Sequence, residues 1–324
     1  MKFQASRQNL SVLCFCLATI LSGCSGNSNG STGPGATSKP AGLSGSISID
    51  GSSTVFPISQ AVAEEFGVAE PRVKVGVSLS GTSGGMKRFV LGEIDICDAS
   101  RPIKNAEREK CAAEGIEFIE LIVAFDGLAV VANKANDWCD CITVEQLKTI
   151  WRPEAKGTVM KWSDVDPAWP DEEFKLYGPG TDSGTFEYFT DAICGGEGES
   201  RPDYQPSEND NMLVRGVAEE KGGLGYFGYA YYAQNKDILK LVAVDDGSGC
   251  VAPGETTVRD GSYKPLSRPL FVYVRNSSLK KPEVAAFVKF YLDNASKLAG
   301  DVGYVAVSDE IAIENQARLQ GALK

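Results

Sequence analysis

Ser46-Ile47-Ser48-Ile49-Asp50-Gly51-Ser52-Ser53-Thr54-Val55-Phe56-Pro57 reads as a strand, a polar turn and the start of a helix. Ile47 and Ile49 alternate with polar neighbours, the period of a strand with one apolar face. Gly51 to Thr54 is built of turn residues. Pro57 suits a first helical turn, and Val62 and Phe66 follow at helical spacing. The same unit returns twice. Val73-Lys74-Val75-Gly76-Val77 leads through Ser80-Gly81-Thr82-Ser83-Gly84-Gly85 to a helix carrying Met86, Phe89 and Val90. Phe174-Lys175-Leu176-Tyr177 leads through Gly180-Thr181-Asp182-Ser183-Gly184-Thr185 to a helix carrying Phe186, Phe189 and Ile193.

The rest of the chain continues the alternation. Ile94 to Ile96 and Leu270 to Val274 read as strands, and Glu117 to Val131 holds one or two more. Thr143 and Gln146 form a capping box at the head of a helix ending at Trp151. Further helices are expected from Leu213 to Glu220 and from Pro282 to Ser296. Strands alternating with helices predict an α/β fold with parallel sheets covered by helices. Residues 195–212, rich in Gly, Glu, Asp, Asn and Pro, read as an exposed loop.

The three turns share a chemistry. Each combines hydroxyl donors with glycines that expose backbone N–H groups, at the positive end of a helix dipole. Asp98-Ala99-Ser100-Arg101-Pro102 adds a hydroxyl and a guanidinium, whose planar fork matches two oxygens at once. Any one such cluster is more often a helix cap. Together, from distant parts of the chain, they can surround one small tetrahedral oxyanion.

Composition excludes much else. The chain has 324 residues, enough for about two domains. It contains no histidine, so a Ser-His-Asp or Cys-His nucleophile system and a His-ligated metal are absent. The P-loop pattern is also absent. A formal charge of −11 disfavours nucleic acid and anionic membrane as partners. No cofactor, metal or enzymatic activity is therefore expected.

Lys2 and Arg7 precede an apolar run from Leu10 to Leu21, the layout of a signal peptide. Leu21-Ser22-Gly23-Cys24 resembles the lipobox of bacterial lipoproteins, which makes 1–23 the signal peptide and Cys24 the lipid attachment site. Residues 24–45 then read as a lipidated Cys and a Gly/Ser-rich flexible tether. Setting aside Cys14, Cys16 and Cys24 leaves Cys97, Cys111, Cys139, Cys141, Cys194 and Cys250. In an exported chain six cysteines allow up to three disulfides, and sequence does not choose among the pairings.

Taken in order, Asp50 to Pro57, Ser80 to Gly85, Asp95-Ile96-Cys97-Asp98-Ala99-Ser100-Arg101-Pro102 and Thr181 to Phe186 resemble the phosphate-binding proteins of bacterial phosphate ABC importers. Lys221 to Gly228 and Tyr263 to Pro269 extend the resemblance, which covers roughly residues 46–320. It implies a two-lobed type II periplasmic binding protein fold with a ligand cleft between the lobes. The chain would cross near Asp126 to Asn133 and again near Tyr263 to Leu270, giving one lobe of 46–127 with 265–324 and another of 128–264. The implied function is high-affinity binding of inorganic phosphate outside the cytoplasmic membrane and delivery to the permease of an ABC importer. The implied form is a monomer held to the cell envelope by its lipid.

By position, Ser53, Thr54 and Phe56 match the first phosphate loop, Thr82 and Ser83 the second, and Ser183, Gly184 and Thr185 the loop from the other lobe. Two departures stand out. Some relatives carry an Arg before the Ser-Gly-Thr, where this chain has Gly178-Pro179-Gly180; some carry an Asp where it has Ser100-Arg101. Arg101 is the expected replacement cation. The carboxylate that would accept a proton from phosphate, and so reject sulfate, is left among Asp126, Asp98 and Asp182, with Asp126 favoured. Other readings stay open: a binder of sulfate or molybdate, a phosphatase using Ser183 beside Asp182, or an adhesive surface lipoprotein.

Overall fold

The computed structural model describes residues 42–324. The signal peptide at 1–23, Cys24, Cys14, Cys16 and the tether up to residue 41 lie outside the described residues. The chain begins with β1 (Gly45–Gly51), α1 (Phe56–Ala69), β2 (Val73–Leu79), α2 (Gly81–Val90), β3 (Ile96–Ala99), α3 (Asn105–Ala113) and β4 (Phe118–Asn133). Here β1 runs parallel between β2 and β3, and buries Ile47 and Ile49. Gly51 closes β1 with φ +148°, and a Cβ there would collide with the Asp98 carbonyl. Only glycine lets the end of β1 approach β3 this closely.

The chain continues through β5 (Cys141–Thr143), α4 (Val144–Trp151), β6 (Lys175–Gly178), α5 (Gly184–Phe189), β7 (Gln205–Pro206), α6 (Asp210–Glu219), β8 (Gly223–Gly228), α7 (Tyr229–Asn235), β9 (Leu239–Asp245), β10 (Cys250–Val251) and α8 (Glu255–Arg259). A π-helical turn, Thr190–Cys194, follows α5 directly. The capping box expected at Thr143 is present: the Gln146 N–H donates to Thr143 Oγ1 at 3.1 Å, and the Thr143 N–H donates to Gln146 Oε1 at 2.9 Å. The chain ends with β11 (Ser267–Arg275), α9 (Pro282–Asp301) and α10 (Asp309–Ala322).

Two lobes result, each with its own core. One gathers Ile47, Ile49, Val62, Phe66, Leu270 and Phe287; the other gathers Leu147, Trp151, Trp162, Phe189 and Tyr226. β4 serves both. Its first half pairs antiparallel with β11, through Gly127 opposite Ser267, and from Leu128 onward it pairs with β8 and β9. The sheets are therefore mixed rather than parallel. Strands passing between lobes in opposite directions must lie antiparallel, which helix–strand alternation alone does not reveal.

Among the described residues one disulfide is present, within the up to three expected: Cys141–Cys250, tying β5 and β10 on either side of β9. Among those residues Cys97, Cys111, Cys139 and Cys194 are unpaired. The first three are buried in apolar cores, and burial pushes the Cys139 thiol up to about 12, so these sulfurs act as small apolar side chains. Residues 195–212 are not a free loop. Arg201 is buried to 2% exposure, donates to the Ile150 and Val159 carbonyls at 3.1 and 2.8 Å, and pairs with Asp203. The Tyr204 hydroxyl donates to the Pro179 carbonyl at 2.8 Å.

Candidate functional site

The polar turns converge on one cavity of about 750 Å³. From the first lobe it is lined by Ser52, Ser53 and Thr54 after β1, by Ser80, Gly81, Thr82 and Ser83 at the head of α2, and by Ser100 and Arg101 after β3. From the second lobe come Thr181, Asp182, Gly184, Glu187 and Tyr188, with Arg268 and Pro269 from β11. Parallel β1, β2 and β3 all end here, where helix N-termini follow. α2 starts at Gly81, earlier than its apolar positions suggest. The Thr82-Ser83 hydroxyls thus belong to a first helical turn, where N–H groups lack intrahelical partners.

The loops are braced against each other. The Ser52 N–H donates to the Asp98 carbonyl at 2.9 Å, and the Thr54 N–H donates to Ser52 Oγ at 3.2 Å. The Ser100 N–H donates to Thr82 Oγ1 at 3.1 Å, joining the second loop to the fourth. At Gly184 the second lobe closes on the first: a Cβ there would lie 2.8 Å from both Ser53 Oγ and Thr54 Oγ1.

Of the residues expected at the site, Ser53, Thr54, Thr82, Ser83, Ser100, Arg101 and Gly184 line the cavity, whereas Phe56, Asp126, Ser183 and Thr185 do not. Phe56 opens α1, and its N–H donates to the Ser52 carbonyl at 3.0 Å. Ser183 caps α5 by accepting from the Thr185 N–H at 3.2 Å. Asp126 sits behind the wall, 2% exposed, and reaches the cavity only through Arg268.

Arg268 is the cation that the sequence reading did not assign. Its Nη2 donates to Thr54 Oγ1 at 2.9 Å and to Asp126 Oδ2 at 3.2 Å. Its guanidinium lies 3.6 Å from the centre of the Tyr188 ring. Arg268 thus touches the first loop, the crossing strand β4 and helix α5 together. Its one sequence signal was a lone Arg in Tyr263-Lys264-Pro265-Leu266-Ser267-Arg268-Pro269, beside a crossing. Burial raises the Asp126 carboxyl even though Arg268 pulls it down. Arg101 is held differently. Both its terminal nitrogens pair with Glu107, at 2.9 and 2.8 Å, and Nη2 also donates to Ser83 Oγ at 3.2 Å. Its charge is already met by a carboxylate.

A cavity ringed by hydroxyls, N–H groups and guanidiniums suits an oxyanion. Residues 36–295 match the PBP superfamily domain. The chain is 47% identical over 272 residues to Protein SphX of Synechocystis sp., covering 84% of this chain and 81% of that one. It is 39% identical over 304 residues to the phosphate-binding protein PstS of Staphylococcus saprophyticus, covering 93% of this chain and 90% of the relative. The chain is a PstS-like member of the PBP superfamily. Among solved structures, the PBP fold seen here aligns with a possible phosphate binding protein from Planctomyces limnophilus at TM-score 0.83 and 50% identity, over 87% of this chain and 100% of that one. In this PstS-like chain the cavity lies where the two lobes meet, beside the crossing strands β4 and β11.

Proposed function

We propose that this protein binds inorganic phosphate outside the cytoplasmic membrane and delivers it to an ABC importer. The observation that carries the reading is the convergence of hydroxyl and N–H donors from separate loops with the Arg268 guanidinium in one interlobe cavity. The names of the PstS relative and the Planctomyces limnophilus structure support phosphate as the ligand. Thr54, Ser53, Thr82, Ser83 and Ser100 supply hydroxyl donors, and the Gly184 end of α5 closes the cage from the second lobe. Arg268 provides the principal positive charge, and Arg101 the outer wall. Phe56 and Thr185 support their loops from behind.

The lobes divide at 127/128 and 264/265, so that 46–127 with 265–324 moves against 128–264 about β4 and β11 and traps the ligand. Cys24 carries the lipid, residues 24–45 act as a tether, and the protein works as a monomer. It acts as a binder rather than a hydrolase: the chain has no histidine, and the Ser183 hydroxyl is engaged in capping α5.

Phosphate that binds the folded state alone raises stability by about 2.7 kcal/mol at a hundred times Kd. A thermal melt of the anion-stripped protein should therefore shift upward with phosphate concentration and stay still with equal sulfate. A melt unmoved by millimolar phosphate contradicts the reading. Gly184→Ala checks the closure. The added Cβ strikes Ser53 and Thr54, an overpacking that costs roughly 1–3 kcal/mol. Phosphate affinity measured by titration should fall about tenfold, and an unchanged affinity would show that α5 stands clear of the first loop.

A further inference from the structure

Arg268 offers the cavity only part of its guanidinium. Nε and Nη2 both donate to Asp126 Oδ2 at 3.2 Å, and Nη2 also donates to Thr54 Oγ1 at 2.9 Å. Among the described residues Nη1 has no hydrogen-bond partner in the protein. One face of the plane is covered by the Tyr188 ring, whose centre lies 3.6 Å from Cζ. Carboxylate, hydroxyl and ring thus leave Nη1 as the nitrogen open to an anion.

The ring comes from the other lobe. Tyr188 lies one turn after Gly184 on the same face of α5. The face that meets Ser53 and Thr54 at Gly184 therefore also lays an aromatic ring on the guanidinium. Tyr188 is buried, and its far end is tied down. Its hydroxyl donates to the Pro265 carbonyl at 2.7 Å, just before β11 carries Arg268 to the cavity. Burial raises the phenol, so the hydroxyl stays a donor. We propose that Tyr188 is a positioning residue for the ligand: its ring holds the Arg268 plane with Nη1 left to the anion and keeps water off that charge. The inference rests on the phosphate reading above. A ring over the face of a cation attracts it most strongly where water is excluded, and it leaves the in-plane N–H groups free. An arginine fixed in this way loses little further freedom when the anion arrives. Ring and cation are carried by different elements, α5 and β11, so the docking of α5 and the fixing of Arg268 go together.

The test titrates phosphate into anion-stripped protein, as the unsubstituted chain, Tyr188→Phe and Tyr188→Leu, with a melt of each to show that it folds. Tyr188→Phe keeps the ring and should bind within about threefold of the unsubstituted chain. Tyr188→Leu removes the ring and should bind about tenfold more weakly. If Tyr188→Leu does not fold, Tyr188→Met fills the space without an aromatic face and carries the same expectation. The series is repeated with Arg268→Lys, whose ammonium has no plane for a ring to orient, and there the loss on removing the ring should shrink to about threefold or less. A merely structural role costs the same factor in both backgrounds, and that result overturns the inference. So does a loss in Tyr188→Phe as large as that in Tyr188→Leu, which moves the role to the bond with Pro265, and so does an unchanged affinity in Tyr188→Leu. In each of these outcomes the phosphate reading stands. An unsubstituted chain that binds no phosphate overturns both.

Discussion

Arg268→Ala lowers phosphate affinity by roughly thirtyfold to several thousandfold. The range corresponds to about 2–5 kcal/mol for truncating one partner of a desolvated charge pair. Arg268 is the cavity's link to Thr54, to Asp126 and to the Tyr188 ring, so its loss removes charge and positioning together. The same substitution leaves Asp126 buried without a cation, and breaking a buried pair costs roughly 3–5 kcal/mol of folding stability. The two effects separate in a double variant. Asp126→Asn with Arg268→Ala removes the orphaned charge, so stability recovers while phosphate binding does not. Recovery of both would place the ligand's cation elsewhere, with Arg101 the remaining guanidinium on the cavity wall.

The second large effect concerns Asp98, which supports the site from beneath. Its backbone carbonyl holds the Ser52 N–H, while its side chain turns into the core. Ser59 on α1 donates to Oδ1 at 2.9 Å, and the Tyr291 hydroxyl on α9 lies 3.0 Å from Ser59 Oγ. Oδ2 has no partner. Burial raises this carboxyl to about 7; Ser59 opposes the shift and Asp50 on β1 adds to it. An unfolded Asp ionises near 3.9. Between those values the folded chain holds a proton that the unfolded chain has lost, so stability falls as pH rises from about 4 to about 7. The difference is on the order of 4 kcal/mol across that window. Asp98→Asn removes the titration. Denaturant unfolding at pH 4 and pH 8 should show the variant gaining on the unsubstituted chain by about that amount as pH rises. Parallel pH profiles would mean that Asp98 is ionised and satisfied in the folded state.

Much of the site was legible because its parts are local. The turns after β1, β2 and β6 combine hydroxyls and glycines at helix starts, and this pattern survives in sequence without knowledge of the fold. The capping box at Thr143 is legible for the same reason. What was missed is relational. Arg268 gains its meaning from a strand that returns across β4 to face Asp126, more than a hundred residues away. The mixed sheet has the same origin, since a crossing strand carries the same β-branched pattern whichever way it runs. Among the described residues four cysteines stay unpaired, because an even count does not place sulfurs within bonding reach of one another. Asn, Gly and Glu in 195–212 hid a segment pinned by one buried arginine, Arg201.

The most direct test of the central claim is isothermal titration of phosphate, then sulfate, into the anion-stripped protein at neutral pH. The account predicts saturable one-to-one heat with phosphate and none with sulfate at the same concentrations. No heat with phosphate, from protein shown by its melt to be folded, would contradict it.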